Sequence, residues 1–91
     1  MRLEWTTDAL SDLERIYDFL VVVNPRAAAK AVQALIQAPK RLAQFPRLGE
    51  QLDPYGPHEI RRIVVGRYEV RYEIKDTVIS ILHLFHARED R

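Results

Sequence analysis

His58-Glu-Ile-Arg-Arg-Ile-Val-Val-Gly66-Arg-Tyr-Glu-Val-Arg-Tyr-Glu-Ile-Lys-Asp76-Thr-Val-Ile-Ser-Ile-Leu-His-Leu-Phe-His86-Ala-Arg88 decides the fold. It reads as three β-strands joined by two tight turns. Gly66-Arg67 lies between two runs of β-branched and aromatic residues, and glycine at the first central position is what a type II′ hairpin turn requires. That register pairs Val65 with Tyr68, Ile63 with Val70, Arg61 with Tyr72, Val64 with Glu69 and Arg62 with Arg71. One face then carries Ile63, Val65, Tyr68, Val70, Tyr72 and Ile74, an apolar set suited to a core. The other places two arginines directly opposite each other, an arrangement that destabilises a sheet by roughly 0.2–1 kcal/mol unless something offsets it. The second turn lies at 75–76 or 76–77, and either choice sends Ile79, Ile81, His83 and Phe85 to the core face. Val78, Ser80, Leu82, Leu84 and His86 are expected on the arginine face. With Ile60 and Val64 there as well, that face is half apolar. A one-sided antiparallel sheet shows polar residues on its outer side, so this face is expected to receive a partner.

The rest of the chain supplies what packs on the sheet. Arg2 to Trp5 alternates like a short strand. Thr6 or Thr7 is placed to cap a helix over 7–23, with Ala9, Leu13, Ile16, Leu20 and Val23 on its apolar side and an acidic outer face. Asn24-Pro25 stops that helix and starts another, asparagine capping and proline taking the first position. Ala28, Val32, Leu35, Ile36, Leu42 and Phe45 then line one side, so the two helices form an antiparallel hairpin. Pro39 removes a hydrogen bond to the Leu35 carbonyl and is expected to kink or split the second helix. Pro46 to Pro57 is irregular, a stiff connector or a binding loop. The fold class is therefore α+β: an N-terminal strand, a two-helix hairpin and a three-stranded antiparallel meander, in one domain over 1–91.

Composition sets limits. Ninety-one residues with 47% apolar and 30% charged side chains suit one small globular domain. No apolar run approaches the roughly 20 residues of a membrane span, and the opening on a strand-like segment leads us to expect no leader peptide. With no cysteine, disulfide and thiol chemistry are excluded, and a cytoplasmic location is expected. The three histidines have no ligand spacing, so neither metal nor cofactor is expected. The net charge of +1 conceals segregation: residues 24–49 hold Arg26, Lys30, Lys40, Arg41 and Arg47 and no acid. Such a segment follows a phosphate backbone, receives an acidic protein segment, or is simply solvated beside an acidic neighbour.

Cleavage of an RNA phosphodiester needs a base, an acid and cations on the phosphate. Glu69, His86, Arg62 and Arg71 are the right types, and the expected register gathers them at one end of one face. The same residues also fit a surface charge lattice in which Glu69 and Glu73 pair diagonally with the arginines. Tyr68, Tyr72 and Trp5 fit the core, His83 a semi-buried site. Arg61 is expected at the sheet edge with its stem buried and its head in water.

The order of elements resembles the RelE/ParE superfamily of toxins from bacterial type II toxin–antitoxin systems. The likeness is carried by Trp5-Thr6 with Ala9, Asp12-Leu13, Pro25 and the alanines after it, and Leu42 with Phe45-Pro46 and Gly49. Glu59-Ile60-Arg61, Val65-Gly66 with Tyr68, Val70 and Tyr72, and the ending His86, Arg88, Asp90 complete it. The ending is most similar to the ParE branch. RelE-like members are ribosome-dependent mRNA endonucleases; ParE-like members inhibit DNA gyrase. Glu69 stands where the nucleases usually carry an arginine, Ile60 and Arg62 where they carry lysines, and no tyrosine follows Arg88. The resemblance thus implies a gyrase-inhibiting, non-enzymatic toxin. Its alternatives are a nuclease using Glu69, His86, Arg62, Arg71 and Arg88, or an inactive homologue serving only in operon autoregulation. It also implies a cognate antitoxin of ParD-like or other ribbon-helix-helix type, with operator DNA contacted only through that antitoxin and no membrane partner. The antitoxin is expected on Ile60, Arg62, Val64, Arg71, Leu82 and Leu84, and the target at His86 and Arg88.

Overall fold

The computed structural model describes residues 1–87. Five strands form one mixed sheet in the order β1-β5-β4-β3-β2. β1 is Arg2–Trp5, β2 Glu50–Gln51, β3 Glu59–Val65, β4 Tyr68–Lys75 and β5 Val78–His86. β1 runs parallel to β5, with Leu3 opposite Ile79 and Trp5 opposite Ile81; the other pairings are antiparallel. Two helices, α1 (Thr7–Val23) and α2 (Pro25–Gln37), cover one face. The two-residue β2 lies inside the segment expected to be irregular, too short to show a period in sequence.

Local chemistry sets the boundaries. The Thr6 hydroxyl accepts from the Ala9 amide and caps α1, and the Asn24 carboxamide accepts from the Arg26 and Ala27 amides and caps α2. At Pro39 the second helix splits, though not into two α-helices. The α-helix ends at Gln37 and a 3₁₀ segment, Ala38–Ala43, carries the chain on, with Pro39 itself buried. Gly66 has a φ of 62° and no positive φ occurs at Arg67, as a type II′ turn demands. The second turn lies at 76–77, with Asp76 at a φ of 56°.

The core joins Ala9, Ile16, Leu35 and Leu42 to Val70, Tyr72, Ile74, Ile79, Ile81 and Leu84. Trp5 and Tyr68 pack against it. Val23, Ile36 and Phe45, expected on the apolar sides of their helices, are exposed instead; Val23 is the last residue of α1 and Phe45 lies past the 3₁₀ segment.

One register shift reassigns half of β5. Ile74 faces Ile79 and Tyr72 faces Ile81, but Arg71 faces His83, so Leu82 is the extra residue of a β-bulge. Beyond it the alternation inverts. Leu84, expected on the arginine face, is fully buried in the core, and His86 stands opposite Tyr68 on the helix-covered side. His83 and Phe85, expected in the core, stand opposite Arg71 and Glu69. The bulge falls where β5 changes its outer neighbour. β1 stops at Trp5, and the Thr6 amide and hydroxyl donate to the Ile81 carbonyl at 3.1 and 2.7 Å, the hydroxyl also lying 3.2 Å from the Leu82 carbonyl. Past that point α1 takes over the edge: Asp12 accepts from the Leu84 amide (3.0 Å) and Arg15 donates to the Leu84 carbonyl (3.4 Å). Side chains of a helix thus cover strand edge that would otherwise be open to pairing with another chain.

Candidate interaction surface

The face away from the helices is held by charge. Glu50 on β2 meets Arg62 on β3 at 2.8 Å, Arg62 meets Glu69 on β4 at 3.2 Å, and Arg71 on β4 meets Glu69 at 2.7 Å. The Arg71 guanidinium then lies 4.8 Å from the centroid of the Phe85 ring on β5. Glu69, only 2% exposed, sits between the two arginines that the hairpin sets opposite each other, which offsets their repulsion. The hydrogen bond that Arg62 donates to Glu50, followed by that carboxylate's charge, raises the affinity of the guanidinium for its proton. Around this row Ile60 is half-buried and the Val64 side chain stands out at 67% exposure. A cleft of about 400 Å³ opens beside it, lined by Ala38, Arg41, Leu48, Glu50, Arg62 and Val64 among others.

The neighbouring loop is fastened to the covered side. Tyr72 donates from its hydroxyl to the Pro46 carbonyl (2.8 Å) and accepts there from the Gly49 amide (2.9 Å). Burial pushes this phenol's pKa up. A β-carbon at Gly49 would collide with the Arg62 carbonyl and lie 2.7 Å from that hydroxyl, so only glycine fits. Arg61 does not send its head into water. It donates to Glu59 (2.8 Å) and to the Gly49 carbonyl (2.7 Å), closing the same loop from the sheet side. Glu59 also takes a two-bond contact from Arg47, and the hydrogen bonds from Arg61 and Arg47 hold its carboxyl below the usual range.

Of the residues expected to form a site, Arg62, Arg71 and Glu69 are together, with Ile60 and Val64 beside them. Leu84 is in the core, and Leu82 is the bulge residue, half-buried, with its carbonyl against Thr6. His86 packs edge-on against Tyr68, centroids 5.5 Å apart at 83°, on the opposite side of the sheet from Glu69. Arg88 lies outside the described residues. Glu73 pairs with His58 (2.9 Å) rather than with an arginine, and His83 is half-exposed with Nδ1 3.2 Å from Asp12. Phe85 and Glu50 were missed: a bulge has no sequence signature, and a two-residue strand has no period. Among the described residues no group of three acidic or histidine side chains is placed to hold a metal ion.

A family model for the ParE toxin of the type II parDE toxin–antitoxin system matches residues 3–91. The chain belongs to the ParE toxin family. Toxin RelE2 of Caulobacter vibrioides is 34% identical over 83 residues, covering 91% of each chain. This ParE-family toxin also superposes on a chain of the chromosomal ParDE system from P. aeruginosa with a TM-score of 0.80 and 31% identity, covering 94% of this chain and 95% of that one. A chain of the RelBE2 toxin–antitoxin complex from Mycobacterium tuberculosis matches with a TM-score of 0.57 and 26% identity over 93% and 88% of the two chains. The ParE-family toxin is thus a type II toxin–antitoxin component of the RelE/ParE superfamily. No helix among its described residues is long and apolar enough to cross a membrane.

Proposed function

We propose that this toxin acts by binding rather than by cutting RNA, that DNA gyrase is its target, and that a cognate antitoxin covers the open sheet face in the cytoplasm. The observation that carries the first part is the bulge at Leu82. It puts His86 behind the sheet from Glu69, Arg62 and Arg71, so an acid and a base are not presented to one phosphate. Glu69 is moreover engaged by two guanidinium groups, which suits a structural carboxylate better than a proton acceptor. The gyrase target is supported by the match to the ParE model. The antitoxin site is supported by the chemistry of the open face. Val64 and Phe85 offer apolar contact, while Arg62 and Arg71 keep about a third of their side-chain surface exposed, at 32% and 31%. An extended segment bearing apolar and acidic side chains fits that pattern. His86 and Arg88 remain the residues we assign to target contact.

The name of the Caulobacter relative, Toxin RelE2, favours the competing nuclease reading. Two assays on the same purified chain decide. Gyrase supercoiling is expected to be inhibited, and ribosome-primed mRNA is expected to stay intact. Cleavage without gyrase inhibition overturns the proposal. Silence in both assays, with harmless expression in the absence of antitoxin, identifies an inactive homologue that serves only in autoregulation.

A further inference from the structure

The cations of this molecule are sorted. Arg2, Arg15, Arg47, Arg61, Arg62 and Arg71 each lie within 4.0 Å of a carboxylate. Six others make no ion pair among the described residues: Arg67 and Lys75 stand at the two hairpin turns, and Arg26, Lys30, Lys40 and Arg41 are all exposed on one continuous element, α2 with its 3₁₀ extension. Arg26, Lys30, Gln33, Gln37 and Lys40 follow one another at spacings of four, three, four and three residues. That is one stripe along a helix, opposite the side on which Ala28, Leu35 and Leu42 are buried. Arg41 flanks it at the mouth of the cleft beside β3.

We propose that this stripe is a direct binding surface for the phosphate backbone of duplex DNA, without regard to sequence. Operator recognition stays with the antitoxin. At rises of about 1.5 and 2.0 Å per residue, the pairs Arg26/Lys30 and Lys40/Arg41 lie about 20 Å apart along the axis. That spacing straddles a groove about 12 Å wide together with the phosphates on its two edges. The residues between are glutamines, whose amides donate to phosphate oxygens, and exposed alanines that let the backbone approach. No carboxylate occurs from residue 24 to residue 49 to repel it. An acidic peptide meets the same charges, but such interfaces are anchored by a buried aromatic or aliphatic side chain in a pocket. Between its cations the stripe itself carries alanine and glutamine, and Ile36 beside it, 37% exposed, stands on the helix surface rather than in a pocket. Phosphate contacts need no such anchor.

The test is fluorescence anisotropy of the toxin with a labelled random duplex of about 30 base pairs, titrated with salt. Four phosphate contacts give a slope of log affinity against log salt of about −3 to −4, or roughly a 100-fold loss between 50 and 200 mM. Joint reversal at Arg26→Glu, Lys30→Glu, Lys40→Glu and Arg41→Glu is expected to weaken binding roughly 30-fold or more and to flatten the slope. The control, Arg67→Glu with Lys75→Glu, removes the same sign of charge from the hairpin turns and is expected to stay within roughly threefold. Should the reversed chain fail to fold, glutamine at the same four positions keeps helix propensity and is expected to remove most of the slope. Absence of salt-dependent binding by the unaltered toxin overturns the proposal, as does an equal loss in the control. A stripe variant that keeps DNA and loses the antitoxin overturns it too, in favour of an acidic protein partner. Gyrase inhibition is not the readout, so this proposal and the target assignment fail separately.

Discussion

The two faces of one sheet are stabilised by different physics. Toward the helices lie Val70, Tyr72, Ile79, Ile81 and Leu84, all inaccessible to solvent, packed on Ala9, Ile16, Leu35 and Leu42. On the other side a row of alternating charge runs from Glu50 through Arg62 and Glu69 to Arg71 and ends under Phe85, with Val64 left out in solvent. On the covered face the polar tip of Tyr72 is satisfied by the Gly49 amide and the Pro46 carbonyl. The open face keeps its geometry without a cover, because the arginines that would repel are held to one buried glutamate. A surface ordered before its partner arrives costs less to bind.

The largest effect that bears on this contrast comes from two adjacent residues. Leu84→Ala is expected to cost about 2–5 kcal/mol by chemical denaturation, as deletion in a packed core does. Phe85→Ala, one residue on but across the sheet, is expected to cost less than about half as much. Equal costs would mean that β5 has no bulge and that the faces are wrongly assigned. Next is Tyr72→Phe, which strips partners from the Gly49 amide and the Pro46 carbonyl; about 1–3 kcal/mol is expected. Glu69→Gln keeps shape and removes the shared charge. We expect a loss of about 1–2 kcal/mol, moderated because both arginines remain partly hydrated and Arg62 retains Glu50.

The smallest effect concerns pH. The folded pKa of Glu59 is lowered by Arg61 and then Arg47, so its contribution is fully present above the unfolded value of about 4.3 and is lost as pH falls through the folded value. For these partly exposed groups it amounts to a few tenths of a kcal/mol. The stability gap between wild type and Glu59→Gln is therefore expected to be constant above about pH 5 and to close as pH falls through the lowered folded value.

Most of the fold was legible because its signals are local. Thr6, Asn24-Pro25 and Gly66 set boundaries through their own backbone chemistry, and the β3–β4 register follows from the turn at Gly66 alone. The site was legible only as far as that register reached, which is why Arg62, Arg71, Glu69 and Val64 were placed together. The bulge at Leu82 depends on contacts with Thr6, Asp12 and Arg15, roughly seventy residues earlier in the chain, and short-range periodicity does not carry that information. Leu84, His86, His83 and Phe85 changed sides for this one reason. Arg61 was misplaced for a related one: its partners Glu59 and Gly49 become neighbours only when the loop folds back.

The central claim, that the open sheet face is where the antitoxin docks, is tested most directly by comparing two exposed valines. Val64, at 67% exposure, stands on that face; Val22, at 84%, stands near the end of α1. Calorimetric titration of the antitoxin against Val64→Asp and Val22→Asp, with thermal melts to confirm folding, is expected to show at least a roughly tenfold loss for the first and little change for the second. A loss confined to Val22→Asp would place the antitoxin on the helices and contradict the account.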